Sequence, residues 1–421
     1  MRRFWIIAHA AALFTFTPGC TTDEAALPDV GVPDAATADG APGIDAGPDA
    51  PAAAPCVWVD DGVGPAGATK LSVDVVASGL AVPWGLAFPA KNEILVTEMG
   101  GTLRLIKDGK LEPKPLLTLP TPTPPGKHGK GLHGIALHPQ FASNRLFYLH
   151  HVHPGPSPDE WIVRVTRFKL AADSKSATKD KVILDNLPAG FFHNGGRMRF
   201  GADGMLYVST GDVNEPDNSK DLKSPAGKLL RVTAEGAIPA DNPWAGNPAV
   251  LSGIRNSQGF DFLDSKRLVI ADHGPSGEVE QRTGQDEVTI AAPGDNLGWP
   301  TVSGCTTAAG TVPPALSWKS AVPPGAIIVY RGDAIPGWKG SLLMTSLGQK
   351  ALLRITLDPK DPRRVTGREV YLQGDTTTAH GRMRAIELGA DGQLYVTTSN
   401  CDDHGSCDSP GDQVLRITAG S

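Results

Sequence analysis

The chain is predicted to fold as an all-β, six-bladed β-propeller. Three observations point there: a strand–turn–strand unit recurs six times, no stretch sustains a helical period, and turn formers abound, with 49 Gly and 37 Pro against 12 Phe, 8 Trp and 5 Tyr. The unit is plainest in DNLPAGFFHNGGRMRFGADGMLYVSTGD, residues 185–212. Alternating, β-branched and aromatic side chains mark strands at Met198 to Phe200 and Leu206 to Thr210, and Ala202-Asp203-Gly204 supplies the turn.

The other five copies pair Gly85 to Phe88 with Ile94 to Thr97, Gly134 to Leu137 with Leu146 to Leu149, Gly259 to Phe262 with Leu268 to Ala271, Ile327 to Tyr330 with Leu342 to Met344, and Ala385 to Leu388 with Leu394 to Thr397. Third-strand candidates follow at Thr102 to Ile106, Ile162 to Phe168, Lys228 to Val232, Glu287 to Ile290, Ala351 to Ile355 and Gln413 to Ile417. Second strands begin 52 to 74 residues apart, a spacing stretched by long Pro- and Gly-rich loops. A large β-sandwich is the competing architecture. Leu71 to Val76 precedes the first copy and is expected to complete the last blade beside Gln413 to Ile417, which covers an otherwise open strand edge.

Ahead of the propeller, expected over 68–421, come two other segments. Residues 1–20, MRRFWIIAHAAALFTFTPGC, join a basic start to a mostly apolar run too short for a convincing membrane span, the pattern of an export signal. Cys20 after Gly19 is similar to a bacterial lipoprotein cleavage site, so an N-terminal lipid and a place at the periplasmic face of the envelope are expected. The mass of the mature N-terminus separates lipidation from plain cleavage. Residues 21–67 are a spacer and lead-in: 21–55 hold 11 Ala, 6 Pro and 6 Asp with no aromatic residue, Lys or Arg, too little apolar area to offset the entropy of ordering.

The formal charge of −6, with no basic tract, argues against nucleic acid as partner and leaves small molecules or envelope components. With Cys20 set aside, four cysteines remain; CDDHGSC can close a short Cys401–Cys407 loop, leaving Cys56 with Cys305. A metal site of His404 and the two nearby cysteines is the alternative, without regular zinc spacing.

In an up-and-down blade, the approach to the first strand and the loop after the second share one face of the disk. His193, Arg255-Asn256, Arg382 and Arg384, ahead of first strands, are therefore expected at one mouth with Asp272-His273-Gly274-Pro275, which follow a second strand. A neutral imidazole at His193 can take a proton near physiological pH, and glycines beside it let a ligand approach; a hydrogen-bonded blade-junction histidine is the bland alternative. Arg255 can hold negative charge and Asn256 can orient a carbonyl. Arg382 and Arg384, two apart on a strand, point to one side as an anion site or as blade-to-blade salt bridges. Gly274 and Pro275 can expose carbonyls to calcium, while Asp286 and Glu287 add oxygen ligands or anchor the turn. Trp84 and Met198 read as core. No GxSxG elbow suggests a nucleophilic serine.

These residues, with VPWGLAF (82–88), GLHGIALHPQFASNRLFYL (131–149), HNGGRMRFGADGMLYVSTGD (193–212), GIRNSQG (253–259), HGPSGE (273–278), GDNLGWP (294–300), GDAIPGWKGSLL (332–343) and RMRAIELGADGQLYVTTSN (382–400), resemble the pyrroloquinoline-quinone-dependent soluble glucose and aldose-sugar dehydrogenases, grouped with sorbosone dehydrogenases. The resemblance spans about 72–419. It implies a propeller with pyrroloquinoline quinone (PQQ) near its axis and an aldose or related sugar oxidised to a lactone or carbonyl product, with a separate electron acceptor. It assigns His193 as general base and Arg255 to charge developing on the quinone oxygen. Asn256, Arg382 and Arg384 would bind the cofactor, and the carbonyls of Gly274 and Pro275 would bind Ca²⁺. Gly129 stands where the family has a glutamine, Phe192 where glucose-oxidising relatives have an acid, Val213 where a polar residue follows the GD pair, and Gly348 where some relatives have a cofactor-contacting lysine; Lys350 could replace it only with a shifted loop register. A noncatalytic carbohydrate-binding or envelope-interaction propeller and a calcium-dependent lactonase are the alternatives.

Overall fold

On the second strand of the third repeat, Leu206 and Val208 face the second repeat while Tyr207 faces the fourth. Such a strand is buried on both faces, which is why it reads as a near-continuous apolar run. The same division recurs around the molecule. In the computed structural model, which describes residues 56–121, 129–157, 160–374, 380–407 and 411–420, six apolar clusters each join two consecutive sheets. The cluster of Ala77, Leu80, Leu86, Ile94, Val96, Ile106, Ala385, Tyr395 and Val414 joins the last sheet to the first and closes the ring. Each fully buried aliphatic side chain in these seams contributes about 1.5–3 kcal/mol.

The six sheets are the expected blades. The first holds Pro83–Ala90, Glu93–Glu98, Thr102–Lys107 and the short Lys110–Leu111 and Leu117–Thr118. The second holds Leu132–Leu137, Leu146–Pro154, Trp161–Leu170 and Ala177–Pro188, and the third Met198–Phe200, Leu206–Ser209, Leu229–Val232 and Ala249–Leu251. The fourth runs through Ser257–Phe262, Leu268–Asp272, Glu287–Ala291 and Leu316–Trp318, and the fifth through Pro324–Val329, Leu342–Ser346, Ala351–Leu357 and Val365–Tyr371. In the sixth, Met383–Leu388, Leu394–Thr398 and Asp412–Ala419 are completed by Leu71–Leu80, which pairs Val73 with Ile417 and Val75 with Leu415. The two chain ends thus share a blade, as expected. Helix among the described residues is confined to Phe141–Asn144 and a 3₁₀ turn at Pro216–Ser219, and none is long and apolar enough to cross a membrane.

Two turns repeat the same chemistry. In GADGMLY, Asp203 accepts from Met205 N (3.0 Å) and Tyr207 Oη (3.0 Å); in GADGQLY, Asp391 accepts from Gln393 N (3.0 Å) and Tyr395 Oη (2.8 Å). One carboxylate thereby fixes both the tight turn and an aromatic ring of the following strand.

The export signal, Cys20 and the spacer up to residue 55 lie outside the described residues. The part of the lead-in that the structure describes packs on the fourth blade: Val57–Val59 adds a parallel strand to Leu316–Trp318, and Cys56 is bonded to Cys305. Cys401 is bonded to Cys407.

The second blade buries three histidines. His133 Nδ1 lies 3.2 Å from His150 Nδ1, and His151 Nε2 is 3.1 Å from Thr166 Oγ1. Burial holds His133 and His151 down at about 3, aided by Arg384 and by His150 respectively, and holds His150 well below its ordinary value, aided by His133. A histidine depressed in the fold stabilises it fully above the unfolded value near 6.5; below that the unfolded chain binds more protons and stability is lost. Removing one imidazole should therefore help more as pH falls. Relative to wild type, His150→Phe is expected to gain about 2 kcal/mol of unfolding free energy between pH 7 and pH 5. Chemical denaturation at both pH values reads this difference, and a pH-independent difference would contradict a neutral, buried His150.

Candidate active site

A cavity of about 440 Å³ opens where the inter-blade loops converge, and its wall holds His193, Arg255, Asn256, Arg382 and Arg384. The volume is in the range of small-molecule sites. The five polar residues to which the resemblance assigns catalytic or cofactor-binding roles are thus brought together. Gly274 and Pro275 lie in the loop between two further wall residues, His273 and Ser276.

His193 Nδ1 is 2.7 Å from Asp212 Oδ1. An ionised carboxylate only accepts, so Nδ1 carries the hydrogen and Nε2 keeps a lone pair. Asp212 is fully buried and itself fixed: Trp299 Nε1 donates to Oδ2 (2.8 Å) and Asn214 N to Oδ1 (2.9 Å). His193 has a left-handed backbone (φ 58°), a conformation uncommon for non-glycine residues that surrounding structure must hold. Gly195 N supplies part of that hold by donating to Asn256 Oδ1 at 3.1 Å.

The Arg255-Asn256 segment is anchored from below. Arg255 N and Asn256 N donate to the two oxygens of buried Asp272 at 2.8 and 2.7 Å, and Asp212 N donates to Arg255 O at 2.7 Å. Burial pushes the Asp272 carboxyl up to about 7 against these two N–H donors. The Arg255 guanidinium pairs with Glu278 through Nε, donates from Nη2 to Ser276 Oγ (3.2 Å), and lies 5.7 Å from the centre of the Trp299 ring.

Arg382 and Arg384 do reach the same side. Nη2 of each donates to Asp402 Oδ2, at 2.8 and 3.0 Å; Arg384 Nη1 also crosses to Gln258 Oε1 (2.9 Å) and Arg382 Nη1 to Leu347 O (3.3 Å). Both readings of the arginine pair are therefore realised at once: it is salt-bridged, and it lines the cavity. Arg384 lies within the strand Met383–Leu388 rather than ahead of it. Burial raises the Asp402 carboxyl, but the Arg384 charge and the Arg382 hydrogen bond outweigh it, and the net displacement is downward.

In the 274–275 loop, Gly274 N donates to Asp286 Oδ1 (3.0 Å) and Val322 N to Asp286 Oδ2 (2.6 Å), so Asp286 anchors the turn. A Cβ at Gly274 would lie 1.9 Å from Gly284 O, so only glycine permits this close approach. Glu287 is buried with Oε2 unpaired; burial, then Asp272 and Asp286, hold its carboxyl well above the ordinary range. Among the described residues no three or more His, Cys, Asp or Glu side chains form a metal cluster, so a cation here would depend on carbonyls, water and a bound ligand.

Of the departures from the resembled pattern, Gly129 and Phe192 line the cavity, as does Leu347 next to Gly348; Val213 and Lys350 are not among its wall residues. Trp84 is both core and wall, at 1% exposure, with the Arg197 guanidinium 4.5 Å from its ring centre, and Met198 is core. The sequence reading missed Asp212, Trp299, Glu278 and Asp402. Asp212 stood in the quoted GD pair; Asp402 stood in CDDHGSC, which was read for its cysteines.

The six-bladed ring thus brings a histidine–carboxylate pair and several arginines to one mouth. The chain belongs to the Glucose / Sorbosone dehydrogenase family, whose model matches residues 80–406. It is 31% identical over 352 residues to the aldose sugar dehydrogenase YliI of Escherichia coli, covering 78% of this chain and 90% of the relative. It is 25% identical over 379 residues to the quinoprotein glucose dehydrogenase B of Acinetobacter calcoaceticus, covering 68% and 77%. The PQQ-bound aldose sugar dehydrogenase of Streptomyces coelicolor superposes with a TM-score of 0.70 at 30% identity, over 84% of this chain and 99% of the other.

Proposed function

We propose that the chain oxidises a hydroxyl of an aldose or related sugar to a lactone or carbonyl product, using PQQ held with Ca²⁺ in the 440 Å³ cavity. The observation that carries this reading is His193, held by buried Asp212 at 2.7 Å and lying in one wall with Arg255, Asn256, Arg382 and Arg384. The quinone, when bound, supplies the two-electron acceptor for hydride leaving the donor carbon.

The residues present fit such a group. Arg382 and Arg384 each have N–H groups beyond those spent on Asp402, Ser399, Leu347 and Gln258, since a guanidinium carries five. These suit the carboxylates of a planar acid, and the Trp84 indole gives the wall an aromatic surface. The carbonyls of Gly274 and Pro275 supply hard oxygen to Ca²⁺. His193 Nε2 accepts the donor hydroxyl's proton, while Asp212 stabilises the imidazolium that results. The Arg255 guanidinium and the Asn256 amide offer N–H groups to developing negative charge. Completing turnover requires a separate acceptor to take two electrons.

Titration of the purified chain with PQQ, with and without calcium, tests cofactor and metal together through tryptophan fluorescence. Saturable binding that weakens at least tenfold on chelation of calcium is expected. Binding that calcium removal leaves undiminished would reject the metal role, and absence of saturable binding would reject the quinone.

A further inference from the structure

Asp402 is the second residue of a loop closed on itself by the Cys401–Cys407 disulfide. Besides the two Nη2 groups, its Oδ2 accepts from Arg382 Nε (3.2 Å) and Ser399 Oγ (3.0 Å), and its Oδ1 accepts from His404 N (2.9 Å). The loop also supplies Asp402, Asp403 and His404 to the cavity wall.

We propose that the Cys401–Cys407 disulfide is a positioning device for the cofactor arginines, holding the 401–407 loop over Arg382 so that Asp402 stays on both guanidiniums. This rests on the quinone reading above. The two ends of the loop are held very differently. At the near end, buried Asp412 accepts from Asn400 N (2.5 Å) and Cys401 N (3.2 Å), and Cys401 packs on the apolar cluster of Val82, Trp84 and Met99. Beyond Asp402, residues 403–407 are all exposed. Exposed segments with few buried contacts open at low free-energy cost. The disulfide ties that exposed end back to the anchored Cys401 and removes most of its open states. The hold matters because the loop crosses the arginine closely: a Cβ at Gly405 would lie 2.2 Å from Asn400 O and 3.1 Å from Arg382 Cδ.

A dithiol opens the bond without further partners: the disulfide gains two electrons and two protons as two thiols, and the dithiol closes to its own disulfide. With the loop released, a bound quinone must order it again, which lowers affinity. Cys56–Cys305, tied to the added outer strand of the fourth blade, is the internal control.

The test is the equilibrium Kd for PQQ, in calcium, of wild type, C401S/C407S and C56S/C305S, with thermal midpoints recorded alongside. The C401S/C407S Kd is expected to rise roughly tenfold, with sugar-dependent turnover recovered at saturating quinone, while C56S/C305S binds as wild type. Should C401S/C407S not fold, folded wild type is treated with dithiothreitol and its free thiols are counted; Kd should rise with opening of the bond and return on reoxidation. Equal Kd values for wild type and C401S/C407S or reduced protein, or the same rise in C56S/C305S, would overturn the proposal. Wild type that shows no saturable quinone binding would overturn the quinone reading and this inference together.

Discussion

Replacing His193 by glutamine is expected to lower the rate of sugar-dependent quinone reduction by roughly 10²- to 10⁴-fold, the usual contribution of a positioned general base. Glutamine keeps a polar side chain in the wall but has no site that takes a proton near neutral pH. The left-handed backbone at His193 is held by its neighbours, including the Gly195 N to Asn256 Oδ1 bond, so the loop should keep its shape. Quinone affinity is then expected to change little while the chemical step slows. Single-turnover absorbance on fully loaded protein separates the two, and a wild-type rate in the variant would mean another group takes the proton.

Asp212→Asn is expected to cost nearly as much, roughly 10²- to 10³-fold, although residue 212 need not touch the sugar. The carboxylate accepts from His193 Nδ1, Trp299 Nε1 and Asn214 N, and its volume is kept by asparagine. An amide can satisfy Trp299 through its oxygen, but it then turns its NH₂ toward Nδ1. The imidazole would respond by moving its hydrogen to Nε2, where the lone pair is needed. The loss should fall on kcat more than on KM, because the imidazolium formed during reaction also loses its counter-charge. A variant with unaltered kcat would show that Asp212 only braces the loop.

The parts legible in the sequence are those buried on both faces. Leu206, Val208, Leu342, Met344, Leu394 and Val396 sit in inter-blade seams, so each second strand announces itself as an apolar run. Outer strands carry a weaker signal: Ala177–Pro188 is mostly exposed or half-buried, with only Ile183 and Leu187 buried, and neither it nor Val365–Tyr371 was anticipated. The edge-closing role of Leu71–Leu80 was readable because a propeller leaves one blade short unless its ends meet.

Within the site, the residues facing the cavity were recognisable by type and by position before or after a strand. Their supports were not. Trp299 meets Asp212 across 87 residues and Arg384 meets Gln258 across 126, contacts that depend on how the blades are set around the axis. Asp402 was hidden for a different reason: the flanking cysteines explained its segment well enough that the carboxylate drew no separate reading.

The most direct measurement of the central claim mixes an excess of aldose with the chain loaded with PQQ and calcium and records the quinone absorbance over a single turnover, for a panel of sugars. The account predicts that the oxidised-quinone spectrum is lost with at least one aldose in wild type, and roughly 10²- to 10⁴-fold more slowly in His193→Gln. Protein that holds the quinone stoichiometrically yet leaves its spectrum unchanged with every sugar would contradict it.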